Sequence, residues 1–204
     1  MPNKRHIIID LDGTLIDSFD NICDSLSMTM EHFSLPRPAT AFYTAFRDKD
    51  LSSLFKTTYS LCEKNVSWKC YKTAFDDIYS HHCTDNVTVT PLGERIISCC
   101  KDEGVGMVIL TNKSQLAADI ICTSLFPIHQ FDFVIGRSGI LPIKPYKRAM
   151  DRISRQRLPL DSCKAYFGDS KTDEKMAALM GIAYFDIHHT SDEHIRTIIQ
   201  SCAL

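Results

Sequence analysis

The chain has 204 residues, 44% of them apolar and 24% charged, with a formal net charge of −2. That length holds one domain, or one domain carrying an inserted module. The near balance of charge excludes the basic footprint of a nucleic-acid or membrane-surface binder, and no apolar run approaches the roughly 20 residues of a membrane span.

At the amino end, Lys4-Arg5-His6 precedes only three apolar residues before Asp10, too few for the core of a signal peptide. A cytoplasmic protein is expected, with no nucleic-acid or membrane partner. The nine cysteines are odd in number and contain no Cys-x-x-Cys pair, whereas zinc sites repeat such close pairs. Reduced thiols packing as small apolar side chains are expected. His81-His82-Cys83 reads as a solvated helix end.

Ile7-Ile8-Ile9 is a β-branched run that reads as a strand buried on both faces. It runs directly into Asp10-Leu11-Asp12-Gly13-Thr14. Two acids this close repel one another, and one is pushed toward its neutral form unless a cation lies between them. At the carboxyl end of a sheet strand they would stand where open α/β sheets place ligands.

Asp17-Ser18 offers oxygens to cap a helix, and the stretch to about His82 carries helical patterning only. Phe19, Ile22, Cys23, Leu26, Met30 and Phe33 form one apolar stripe, ended by Ser34-Leu35-Pro36-Arg37-Pro38. Further stripes cover Leu51 to Cys62 and Ser67 to His82. Residues 17–87 thus read as an all-helical insert, and 1–16 with 88–204 as the remainder.

From Thr88 strands and helices alternate, the pattern of a parallel sheet with crossover helices. A helix from Pro91 to about Glu103 leads to a short strand over Met107–Leu110, then to Thr111-Asn112-Lys113-Ser114. A helix over Gln115–Leu125, a strand near Phe131–Ile135 and a loop to Lys144-Pro145 come next. A helix over Tyr146–Arg155 leads to the strand Ala165-Tyr166-Phe167, which ends in Gly168-Asp169-Ser170-Lys171-Thr172-Asp173. A helix stopping at Gly181, a strand over Ala183–Phe185 and a helix from Asp192 complete the chain. Ser170 is a candidate helix cap, and Lys171 a solvated charge.

In a parallel sheet all strand ends face one edge. Asp10, Asp12, Thr111, Asn112, Lys144, Asp169 and Asp173 therefore converge. Four acids with one lysine repel strongly, and a hard divalent cation resolves this. Mg²⁺ suits because it prefers oxygen ligands and pairs with phosphate.

On these motifs the chain resembles the haloacid dehalogenase superfamily, in the subgroup with a helical cap after the first motif. It is most similar there to phosphoglycolate phosphatase-like members. The resemblance implies a Rossmann-like, doubly wound parallel α/β core with an inserted all-helical cap domain. It implies a hydrolase acting on small-molecule phosphate monoesters, as a monomer or homodimer. Asp10 would be the nucleophile and Asp12 the general acid and base. Asp10, the Asp12 carbonyl and Asp169 would ligate Mg²⁺, with Asp173 behind them or reaching the metal through water. Thr111, the Asn112 amide and Lys144 would hold the phosphoryl oxygens.

Asp12 argues against dehalogenase relatives, whose halide leaving group needs no acid. A mutase of the β-phosphoglucomutase type remains the alternative, although the nearest histidine beyond the first motif is His32. A non-catalytic binder is a weaker alternative, because neither acid is missing. In the cap, Phe46-Arg47-Asp48-Lys49-Asp50-Leu51 is the candidate substrate loop, with Arg47 and Lys49 its cations. Related phosphatases usually carry a glycine in this stretch, and its absence counts against phosphoglycolate itself.

Overall fold

The structure is a computed structural model, and it describes residues 4–47, 51–62 and 66–203. In chain order the first elements are β1 (His6–Ile9), β2 (Ile16–Asp17), α1 (Phe19–His32), α2 (Thr40–Thr44), α3 (Leu51–Ser60) and α4 (Trp68–His82). There follow β3 (Thr88–Val89), α5 (Pro91–Glu103), β4 (Gly106–Ser114), α6 (Gln115–Leu125), β5 (Phe133–Arg137) and α7 (Lys147–Arg155). The chain continues through β6 (Cys163–Gly168), α8 (Lys171–Met180), β7 (Ala183–Asp186) and α9 (Asp192–Ala203). It divides into two compact units, one up to Asp17 and from Thr88 onward, the other Ser18–Val87.

The first unit is an α/β fold around a five-stranded sheet in the order β5-β4-β1-β6-β7. Every neighbouring pair in it is parallel. The chain builds outward from β1 to β4 and β5, then crosses back to add β6 and β7. That reversal makes β1 the switch point, where the loops beyond adjacent strands part and leave a crevice. Ile7, Ile8 and Ile9 are fully buried, as a central strand covered on both faces requires. On one face Ile8, Val108, Leu110, Ile135, Tyr166, Met176 and Ala177 form a common core.

Two features depart from expectation. Strand β4 does not stop at Leu110 but runs to Ser114, with an irregularity in its pairing to β5 after Leu110. A two-stranded antiparallel ladder also forms, pairing Ile16 with Val89 and Asp17 with Thr88. Thr90 secures it by donating its hydroxyl to the Thr14 carbonyl at 2.6 Å. Strands of two residues carry too little alternation to be read from sequence. The chain therefore leaves this unit and returns to it through paired backbones.

The second unit is all helix among its described residues. The apolar stripes of α1 and α4 face each other, and Asn21 donates to the His82 and Asp85 carbonyls at 2.7 and 2.9 Å. Tyr71 is fully buried and donates to Thr58 Oγ1 at 2.8 Å. The short helix α2 was not expected. Ser18 stands at the N-cap of α1 without a side-chain capping bond, contrary to its assigned role.

All nine cysteines are free thiols, seven of them buried. Among the described residues no helix is long and apolar enough to cross a membrane.

Candidate active site

β1 delivers Asp10 to the carboxyl edge of the sheet. The Asp10 N–H donates to the Phe167 carbonyl at 2.9 Å, so the residue is still tied to β6, and its side chain is buried. The chain then folds tightly, with the N–H groups of Leu15 and Ile16 both donating to the Leu11 carbonyl at 3.0 Å. Gly13 makes this possible, because its φ is +72° and a Cβ there would stand 2.0 Å from Asp169 Oδ2. Only glycine accepts both conditions.

β4 delivers three residues with different tasks. Thr111 is buried, and its hydroxyl accepts the Lys113 N–H at 3.2 Å. Asn112 turns toward the loop after β5, where its Oδ1 accepts the N–H groups of Ile143 and Lys144, each at 2.9 Å. Its Nδ2 donates to the Lys144 carbonyl at 3.3 Å. The Asn112 side chain is thus engaged in shaping the Lys144 segment. Lys113, not among the expected site residues, places its Nζ 2.7 Å from Asp12 Oδ1. A reading that ends the strand at Leu110 hides it. With β4 extended, residues two apart share a face, and Lys113 follows Thr111.

Lys144 is buried between Asp10 Oδ1 and Asp173 Oδ1, at 2.6 Å from each. β6 and the start of α8 supply the rest. Tyr166, beneath the site, donates to Asp173 Oδ1 at 2.9 Å, and the Ser170 hydroxyl donates to Asp173 Oδ2 at 2.5 Å. Ser170 also caps α8, as expected, by accepting the Asp173 N–H at 3.4 Å. Tyr184 on β7 donates to the carbonyls of Gly168 and Ser170 at 3.1 and 3.3 Å. These tyrosines carry no signal in the sequence beyond a strand position.

The electrostatics follow from burial. Loss of water lifts the Asp10 carboxyl well above the usual range, with the charge of Asp173 adding to it and Lys144 opposing. Asp169 is raised to about 7 by burial and then by Asp173. Burial alone would lower Lys144, but Asp10 and Asp173 outweigh it and hold the ammonium charged. One carboxylate oxygen from each of Asp10, Asp169 and Asp173 lies within 4.8 Å of the others. Buried acids this close, with one ammonium among them, fit a hard divalent cation.

Of the expected residues, Asp10, Asp12, Thr111, Asn112, Lys144, Asp169 and Asp173 all lie at this sheet edge. The Asp12 carboxylate stands outside the acidic triad, against Lys113. Asp173 is already engaged by Lys144, Tyr166 and Ser170. Arg47 belongs to the helical unit, where it pairs with Asp20 and lies 4.7 Å over the Phe19 ring. Lys49 lies outside the described residues.

Fold and site together are those of an α/β protein with buried acids and lysines gathered at the switch point of a parallel sheet. Over residues 7–187 the chain matches the model of the haloacid dehalogenase-like hydrolases, and it belongs to that family. It is similar to the phosphoglycolate phosphatase of Chromobacterium violaceum, 25% identical over 199 residues that cover 89% of this chain and 85% of that protein. The phosphoglycolate phosphatase of Colwellia psychrerythraea is 22% identical over 180 residues, covering 85% and 79%. Among solved structures, one described as a predicted phosphoglycolate phosphatase from Haemophilus somnus superposes with a TM-score of 0.71 at 21% identity, covering 91% and 86%. A predicted phosphatase from Clostridium acetobutylicum gives 0.71 at 20% identity, covering 90% and 84%. At these identities the structural likeness speaks to fold.

Proposed function

We propose that the protein is a Mg²⁺-dependent phosphatase of small-molecule phosphate monoesters, working through an aspartyl-phosphate on Asp10. The observation that carries this reading is the environment of Asp10. It is buried at the end of β1, 2.6 Å from the Lys144 ammonium and grouped with Asp169 and Asp173. The names of the relatives agree with phosphate-ester hydrolysis, and Asp12 supports it over loss of a halide.

Asp10 and Asp169, with the Asp12 carbonyl, would hold Mg²⁺, which when bound offsets charge on the phosphoryl oxygens. Asp10 attacks phosphorus in line as the ester bond breaks, a step in which positioning and charge neutralisation dominate. Lys144 has three N–H bonds, and Asp10 and Asp173 take two. That leaves one for a phosphoryl oxygen, beside the Thr111 hydroxyl and the Asn112 backbone N–H. Asp12 gives a proton to the departing oxygen, then takes one from the water that hydrolyses the intermediate. Arg47 and Lys49 remain candidates for recognising the leaving group.

The test is turnover of a panel of phosphate esters with and without Mg²⁺, alongside Asp10→Asn, whose side chain is nearly isosteric. Wild-type protein quenched in acid during turnover should yield a phosphorylated peptide containing Asp10. Substantial activity in Asp10→Asn would overturn the assignment.

A further inference from the structure

We infer that Lys113 is a positioning residue for Asp12, holding the acid's carboxylate toward the leaving group and off the metal cluster. The inference rests on the reading of Asp12 as general acid. Lys113 Nζ lies 2.7 Å from Asp12 Oδ1, with the two side chains 6% and 16% exposed. Burying an ammonium is costly unless it is paired, so this lysine has a reason to be there.

The need for such a device comes from the neighbourhood. Asp10, Asp169 and Asp173 already gather around one point. A fourth carboxylate two residues from Asp10 would be drawn to any cation they hold and turned away from the phosphoryl group. Lys113 supplies a competing positive charge that fixes one Asp12 oxygen at 2.7 Å.

Its placement is built in. The extension of β4 through Ser114 sets Lys113 on the same face as Thr111, and the Lys113 N–H is pinned to the Thr111 hydroxyl at 3.2 Å. Asn112, between them, is tied to the Lys144 loop on the other side. In the step concerned, the bond from phosphorus to the ester oxygen breaks as the bond to Asp10 forms. The departing oxygen keeps the electron pair and takes the Asp12 proton.

The experiment compares Lys113→Met and Lys113→Arg with wild type on an alkyl phosphate and on para-nitrophenyl phosphate. General acids contribute on the order of 10²- to 10⁴-fold. The expected kcat loss for Lys113→Met is about 10- to 100-fold on the alkyl ester and roughly threefold or less on the nitrophenyl ester, since nitrophenolate departs without a proton. KM should change little, and Lys113→Arg should restore part of the loss. In the double variant with Asp12→Asn, Lys113→Met should cost nothing further, because residues acting as a unit are non-additive.

Equal losses on both esters, a rise in KM alone, or a further loss in the Asp12→Asn background would overturn the inference. If Lys113→Met melts below the assay temperature, Lys113→Gln is read by the same criteria. An active wild type with indifferent Lys113 variants removes this inference alone. A wild type inert on every ester removes the parent reading, and this one with it.

Discussion

Asn112 grips Lys144 by its backbone: Oδ1 accepts the Lys144 N–H at 2.9 Å and Nδ2 donates to the Lys144 carbonyl at 3.3 Å. The amide that follows Thr111 therefore sets where the loop carrying the site's central ammonium stands. Asn112→Ala would leave the N–H groups of Ile143 and Lys144 without this acceptor, at a cost of about 1–3 kcal/mol for each buried group left unsatisfied. We expect kcat to fall on the order of 10²-fold, the scale of a small misplacement of a catalytic group. Steady-state kinetics and denaturant unfolding check this. Full activity in a destabilised variant would mean that Lys144 is placed by other contacts.

Asp12→Asn keeps shape and removes the transferable proton. Alkyl phosphates should lose about 10²-fold or more in kcat, and para-nitrophenyl phosphate much less. Equal losses on the two esters contradict the acid role.

The charge balance predicts a link between pH and metal. In the folded, metal-free protein Asp169 holds its proton up to about 7, through burial and then Asp173, and Asp10 is shifted the same way. In the unfolded chain both ionise near the ordinary value of about 3.9. Between those limits the folded state binds more protons, so this contribution is complete at low pH and disappears as pH rises through about 7. The melting temperature of metal-free protein should fall between roughly pH 5.5 and 8. Mg²⁺ should raise it, and by more at the higher pH, because it binds the folded state through ionised carboxylates. Calorimetric scans in which the Mg²⁺ effect is absent, or shrinks with rising pH, would refute the metal site.

Gly13→Ala tests the turn. The new Cβ would meet Asp169 Oδ2 at 2.0 Å in a backbone of φ +72°. Strain in this region costs about 1–3 kcal/mol before the clash is added. We expect a lower melting temperature together with loss of the Mg²⁺-induced shift. A variant that melts lower but keeps that shift would show that Asp169 can move aside.

Much of the core was legible because its signals are local. Ile7-Ile8-Ile9 announces a central strand, and Asp10 at its end sits where the parallel sheet exposes ligand groups. Helices α5, α6 and α8 start and stop within a residue or so of their predicted limits, since caps and apolar spacing are short-range. The β2–β3 ladder escaped notice because two-residue strands have no period, and β4 was cut short because its last four residues are polar.

Residue order alone determined which chemical groups the chain carries to its strand ends: two acids beyond β1, a threonine and asparagine in the last part of β4, one lysine, two more acids. Tertiary structure alone decided how they pair. The same carboxylate type serves Asp10, against Lys144; Asp12, against Lys113; and Asp173, bound by Lys144, Tyr166 and Ser170. Strand-end position is a property of local backbone preference. The choice of partner depends on distance and burial across the sheet, which the linear chain does not contain.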